Sequence, residues 1–182
     1  MARYVLTGAP GAGKTSILLA LQEAGHAVVA EAATDVVAAA LARGQAAPEA
    51  GPEFIGNITD LQRARQRTAP DGGLVFFDRS PVCTLALARF LGTPVPLALR
   101  AEVDRMISEQ TYERRVFFVR LLGFLTPTAV RRISLDGARA FEAVHEDVYR
   151  ELGFELIDVP VAPLMERVAL VLTAVLRPDG VA

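Results

Sequence analysis

A single lysine, Lys14, stands in a chain whose other eighteen cationic side chains are arginines, and it falls inside the stretch TGAPGAGKTS. Gly8, Gly13, Lys14 and Thr15 occupy every fixed position of the spacing GxxxxGK[ST]. That spacing has a chemical reason. Glycines let consecutive backbone N–H groups converge on a phosphate, and a helix starting just after them adds its positive dipole. A flexible ammonium at Lys14 then reaches the β and γ phosphates, where a planar guanidinium fork would fit poorly. The Thr15 hydroxyl is placed to ligate Mg²⁺. The expected nucleotide cradle is Gly8, Gly11, Ala12, Gly13, Lys14, Thr15 and Ser16, with ATP or GTP as ligand and the Lys14 side chain facing ligand and solvent.

Further along, LVFFDRS ends a run of apolar residues in an acid, Asp78. A carboxylate at the end of a buried strand can hold the metal and its water beside such a loop; the competing reading is an acidic helix cap. Arg79 follows directly, too near the sheet edge for a casual surface charge. Glu31, after HAVVA, emerges at the carboxyl edge where open parallel sheets bind ligands, or is a solvated strand-end acid. Arg131 and Arg132 lie in a loop that could close over phosphates, or form an exposed basic pair. Arg63, Arg65 and Arg67 are expected on a solvated helix face, and His145, among Glu142, Glu146 and Asp147, on the surface. Cys83 reads as a small buried residue on a helix.

The elements that must position these groups alternate strand and helix. ARYVLTG is a strand and KTSILLALQEAG a helix closed by Gly25. HAVVAE is a second strand. Residues 32–73 form a helical crossover broken by Gly44, Pro48, Gly51 and Pro52, with Phe54, Ile58 and Leu61 on one face. LVFFD is the third strand; Ser80 then caps a helix with Pro81 at its first position, and a second helix covers VPLALRAEVDRMISEQ. RVFFVRL, the helix SLDGARAFEAVHEDVYRELG with Phe141, Val144, Val148 and Leu152 at core spacing, FELIDV and a last helix complete the series. Continuously apolar strands separated by helices predict an α/β fold with a parallel sheet covered on both faces.

The composition of the 182 residues, 52% apolar with a net charge of −2, fits one domain with a large core and gives no basic surface for duplex nucleic acid. Uncharged runs reach only about half of the ~20 residues of a membrane span. One cysteine and the lack of a leader-like start suit a cytoplasmic setting. A chain without a second lysine has no NKxD guanine reader, the serine-glycine-glycine signature of transporter ATPases is missing, and Asp78 is followed by Arg79 where AAA+ motors carry a second acid.

The blocks LTGAPGAGKTS, VVAEAA, VFFDRSP, RRVFFVRLLGF and RRISLDGARAFEAVHEDVYRELGFELIDVP span nearly the whole chain. With them it resembles the small stand-alone AAA-domain proteins of P-loop kinase type related to ribosylnicotinamide kinase, and more distantly deoxynucleoside and thymidylate kinases. The resemblance implies a five-stranded sheet in the order 2-3-1-4-5 within one domain (residues 1–182), an acceptor-side crossover (32–73) and a lid (122–136). It also implies that Glu31 takes the acceptor's hydroxyl proton, that Asp78, Arg79 and Ser80 sit beside the transferring phosphate, and that Arg131 and Arg132 clamp it. Two functions follow as expectations: a Mg²⁺-dependent ATP kinase acting on a small hydroxylated acceptor, or a regulator that hydrolyses nucleotide slowly.

Overall fold

The computed structural model of the protein describes residues 2–46, 51–123 and 133–176. Five strands, β1 (Ala2–Thr7), β2 (Ala27–Val29), β3 (Leu74–Asp78), β4 (Arg115–Val119) and β5 (Glu155–Val159), pair in parallel in the order β2-β3-β1-β4-β5. The described helices are α1 (Lys14–Glu23), α2 (Ala32–Ala42), α3 (Pro52–Thr68), α4 (Pro81–Phe90), α5 (Leu97–Ser108), α6 (Leu135–Glu151) and α7 (Leu164–Leu176). The α/β fold read from the apolar strands, and the strand order that the family resemblance implies, are the ones observed.

Alternation along the strands divides the core. Tyr4, Leu6, Phe76 and Phe117 pack against Ile17 and Leu21 of α1 and Val168 and Val171 of α7. Val5, Val75, Phe77 and Val116 face the other way, toward Val82, Cys83 and Ala86 of α4 and Phe141, Val148 and Tyr149 of α6. Because β1 lies centrally between β3 and β4, Leu6 sits opposite both Asp78 and Phe117. The end of β1, and the loop that leaves it, is thereby set level with Asp78.

Three expectations about the elements need correction. The strand after Gly25 is only Ala27–Val29, at the sheet edge, so Glu31 lies beyond it as the N-cap of α2 in an extended conformation. In α3 the buried face is Ile55, Ile58, Thr59, Gln62 and Gln66, with Phe54 and Leu61 only half-buried, because the helix packs one step round from the apolar stripe. In α6 Val144 and Leu152 are half-buried, while Ala138, Phe141, His145, Val148 and Tyr149 form the buried face. Ser80 caps α4 as expected, its hydroxyl accepting from the Val82 N–H. Cys83 is buried on that helix.

Candidate functional site

The loop between β1 and α1 is shaped by residues that tolerate positive φ. Gly8 has φ 126°, and a Cβ there would stand 2.3 Å from the Val119 carbonyl oxygen, so only glycine lets the loop leave beside β4. Gly13, φ 84°, precedes the first turn of α1 and turns its N–H groups toward the concave side. Thr15 and Ser16 are exposed there.

Lys14 contradicts the expectation that it faces solvent. Its side chain is folded back over the loop, and Nζ donates to the Gly8 and Ala9 carbonyls at 3.0 Å each. Only 6% of the residue is exposed. Burial, then the Arg79 charge, lowers its pKa to about 8 against the opposing pull of Asp78 and Glu31. An ammonium offers three donors, and these two carbonyls occupy two of them.

Asp78 closes β3 close enough to Thr15 for that side chain to lower its pKa slightly. One carboxylate oxygen, Oδ1, is buried without a hydrogen-bond partner. Burial pushes the Asp78 pKa up, and the Lys14 charge only partly offsets it. An orphaned, desolvated carboxylate oxygen beside a threonine hydroxyl suits a hard divalent cation. Among the described residues no cluster of three or more His, Cys, Asp or Glu could cage a metal. The pair therefore suits Mg²⁺ that takes its remaining ligands from phosphate oxygens and water.

Arg79 adopts φ 73°, a left-handed conformation that a long side chain enters only under constraint, and its N–H bonds the Leu6 carbonyl at 3.0 Å. The strained turn aims the guanidinium at Glu31: Nε donates to Oε1 at 2.5 Å. Thr34 on α2 donates to the other oxygen, Oε2, at 2.7 Å. Burial alone would raise the Glu31 pKa, but the Arg79 and Lys14 charges and the two hydrogen bonds outweigh it and hold the carboxyl at about 2. The same pairing raises the Arg79 pKa in spite of burial. Arg65, expected on a solvated face, instead donates to the Ala30 carbonyl at 2.8 Å and pairs with Asp35, holding the turn that carries Glu31.

His145 is the largest departure from the sequence reading, being fully buried. Its Nδ1 lies 2.9 Å from the Phe141 carbonyl, which can only accept, so Nδ1 carries the proton. Nε2 is then a lone pair that accepts from Arg79 Nη1 at 3.2 Å. Burial and the Arg79 charge push the imidazole pKa well below its usual value, consistent with that neutral form. Behind it, the Ser80 hydroxyl contacts Tyr149 Oη at 2.7 Å, and Cys83 Sγ lies 3.2 Å from the same oxygen.

In front of His145, Ser80 and Tyr149, which do not line it, opens a cavity of about 990 Å³. Lys14, Thr15, Glu31, Asp78 and Arg79 mark its polar end; Val37, Phe54, Ile58, Leu87, Phe90 and Phe141 wall the rest. Within the apolar part, Thr84 donates to Gln62 Oε1 at 2.8 Å. The structure thus brings together the cradle, Glu31, Asp78 and Arg79. Arg131 and Arg132 lie outside the described residues. The sequence reading missed His145, Gln62, Thr34 and Arg167; each polar member of the first two sits at core spacing on its helix, which was the available signal.

A family model described as AAA domain matches residues 3–167. No curated protein matches the chain. Among solved structures, a deoxyadenosine kinase from M. mycoides with the products dCMP and a flexible dCDP superimposes with a TM-score of 0.60 at 12% identity, over 95% of this chain and 97% of that one. A NadR protein in complex with NAD and AMP-PNP gives 0.66 at 13% identity, over 100% of this chain and 51% of the other, so the chain spans about half of NadR. A NadR complex with NR gives 0.64 at 14% identity. At these identities the likeness is one of fold.

Proposed function

The chain belongs to the AAA domain family, and on that premise we propose that it is a small-molecule kinase, transferring the γ-phosphoryl group of ATP to a nucleoside-like or otherwise hydroxylated acceptor. The observation that carries this reading is the continuity of the cavity: it runs from the Lys14 loop past Glu31 into a large apolar compartment under α2 and α3. Nucleotide hydrolysis alone needs no such compartment.

In this reading the N–H groups of the loop and Lys14 receive the triphosphate, Lys14 exchanging its two carbonyl partners for phosphate oxygens. Thr15 and Asp78 would hold Mg²⁺, which would supply charge neutralisation for the phosphates. The acceptor oxygen bonds to the γ-phosphorus, the bond to the β–γ bridging oxygen breaks, ADP departs, and the hydroxyl proton passes to Glu31. A carboxylate with a pKa near 2 is a weak base. In a loose transition state the proton is lost late, so the principal task of Glu31 is to orient the hydroxyl in line. Arg79 fixes Glu31, and Arg131 and Arg132 are assigned to the transferring phosphate. The setting we propose is cytoplasmic; among the described residues no helix is long and apolar enough to cross a membrane.

The test is a screen of nucleosides, vitamins and sugars for acceptor-dependent ADP release. One observation favours the alternative, a regulatory nucleotide hydrolase: both Glu31 oxygens already have partners. Release of ADP that no acceptor accelerates would establish that alternative.

A further inference from the structure

Arg167 is the fourth residue of α7 and is 3% exposed. It reaches the underside of the phosphate loop, where Nη2 donates to the Ala12 carbonyl at 2.8 Å. Nη1 lies 2.9 Å from where a Cβ on Gly13 would stand, so the guanidinium rests against the last loop residue before Lys14. Nothing neutralises it: among the described residues no carboxylate pairs with Arg167, and its Nε is buried without a hydrogen-bond partner. Every other arginine described around the site, Arg65, Arg79 and Arg120, has a carboxylate partner.

A buried, unpaired cation is costly and is kept where a charge arrives to meet it. A single backbone carbonyl compensates it poorly, and burial depresses its pKa with no opposing carboxylate. The anion that comes to this loop is polyphosphate. Lys14 approaches that anion from the cavity side, whereas Arg167 lies on the α7 side of the same glycine loop. We propose that Arg167 is a second cationic determinant of triphosphate binding, acting through its charge from beneath Ala12 and Gly13. It also ties α7 to the loop, so the same side chain both shapes the cradle and sets its potential. This rests on the nucleotide-binding part of the proposed function, and not on the identity of any acceptor.

Three substitutions separate charge from shape. Arg167→Lys keeps the charge, Arg167→Gln keeps an N–H donor for the Ala12 carbonyl without the charge, and Arg167→Met keeps neither. Calorimetric titration with Mg-ATP, and with inorganic tripolyphosphate as a probe lacking base and ribose, should show Arg167→Lys close to wild type. Arg167→Gln and Arg167→Met should each bind both probes roughly tenfold more weakly. Since buried charges are poorly screened, that loss should persist at ~0.3 M salt, unlike the effect of a surface arginine. Without ligand, the Gln and Met variants should resist urea at least as well as wild type, because an uncompensated buried charge has been removed. Wild-type affinity in a folded Arg167→Gln protein overturns the proposal. So does an Arg167→Lys protein that binds as weakly as Arg167→Met, which would make the role one of shape. Absence of Mg-ATP binding by the wild type would overturn this proposal together with the nucleotide-binding reading; the two variant outcomes overturn it alone.

Discussion

Replacing Glu31 by glutamine should separate transfer from nucleotide binding, and the structure sets two magnitudes for it. The first is energetic. The Glu31 carboxyl is displaced from 4.5 to about 2, and at about 1.36 kcal/mol per pKa unit this corresponds to roughly 3 kcal/mol as a ceiling. Glu31 keeps 28% of its side chain exposed, so solvent screening reduces that figure, but Arg79 is 10% exposed and would be left with a buried, uncompensated charge. A destabilisation of about 1–3 kcal/mol follows, a fall of roughly 2–12 °C in Tm for a chain of this length. The sign with pH is fixed. A depressed carboxyl pKa stabilises the fold above 4.5 and the contribution is lost as pH falls toward 2, so the stability gap between wild type and variant should close over that window. The second magnitude is catalytic. With the best acceptor, loss of the carboxylate that orients the hydroxyl should lower kcat by about 10² while Mg-ATP affinity stays near wild type. The assay is coupled ADP release with and without acceptor, beside calorimetry and thermal melts on the same preparations. An undiminished acceptor-dependent rate removes Glu31 from the transfer step, and an unchanged Tm removes the ion pair from the stability argument.

Lys14→Ala should abolish productive Mg-ATP binding yet melt at or above wild type near pH 7, since a buried ammonium held at about 8 is costly when protonated; retained affinity in calorimetry would contradict it. Asp78→Asn should stabilise the ligand-free protein at neutral pH, where the raised pKa makes ionisation of the buried acid unfavourable, and should eliminate the added thermal shift that Mg²⁺ gives with ATP. His145 should be a neutral Nδ1–H imidazole at about pH 6.5 and above in ¹⁵N spectra, and its replacement by phenylalanine should lower kcat more than glutamine does; an imidazolium signal there would refute the assigned tautomer.

The glycine loop and the alternation of apolar strands with helices were legible because their determinants are short-range or strongly patterned, whereas the sheet order came with the family resemblance. Gly8, Gly13, Lys14 and Thr15 lie within eight residues, and LVFF before Asp78 is apolar throughout because helices cover both faces of β3. What failed was the phase of the helices. Apolar spacing gives the period of α3 and α6 but not which line of residues meets the sheet, and Phe54 and Leu61 were expected where Ile55 and Gln62 are buried. Polar residues on a core stripe are discounted by any hydrophobic pattern, yet Gln62, His145 and Arg167 are of this kind. Their burial is decided by partners more than twenty residues away in sequence: Thr84, Arg79 and Ala12.

Those distant partners also determine how charge is distributed before any ligand arrives. Glu31 and Arg79 neutralise each other, and His145 can join them only as a neutral acceptor because Arg79 already supplies the positive charge. Lys14 and Asp78 remain, one satisfied by loop carbonyls and the other with a bare buried oxygen, and among the described residues no acid pairs with Arg167. Two cations thus lie against the loop, Lys14 bonded to its carbonyls and Arg167 facing Ala12, and one buried carboxylate oxygen of Asp78 has no partner. Polyphosphate and a divalent cation are the ligands of opposite sign for these two sets. The closed Glu31–Arg79 pair needs neither, so in the proposed transfer an acceptor hydroxyl must displace Thr34 or share an oxygen with Arg79 to reach Glu31.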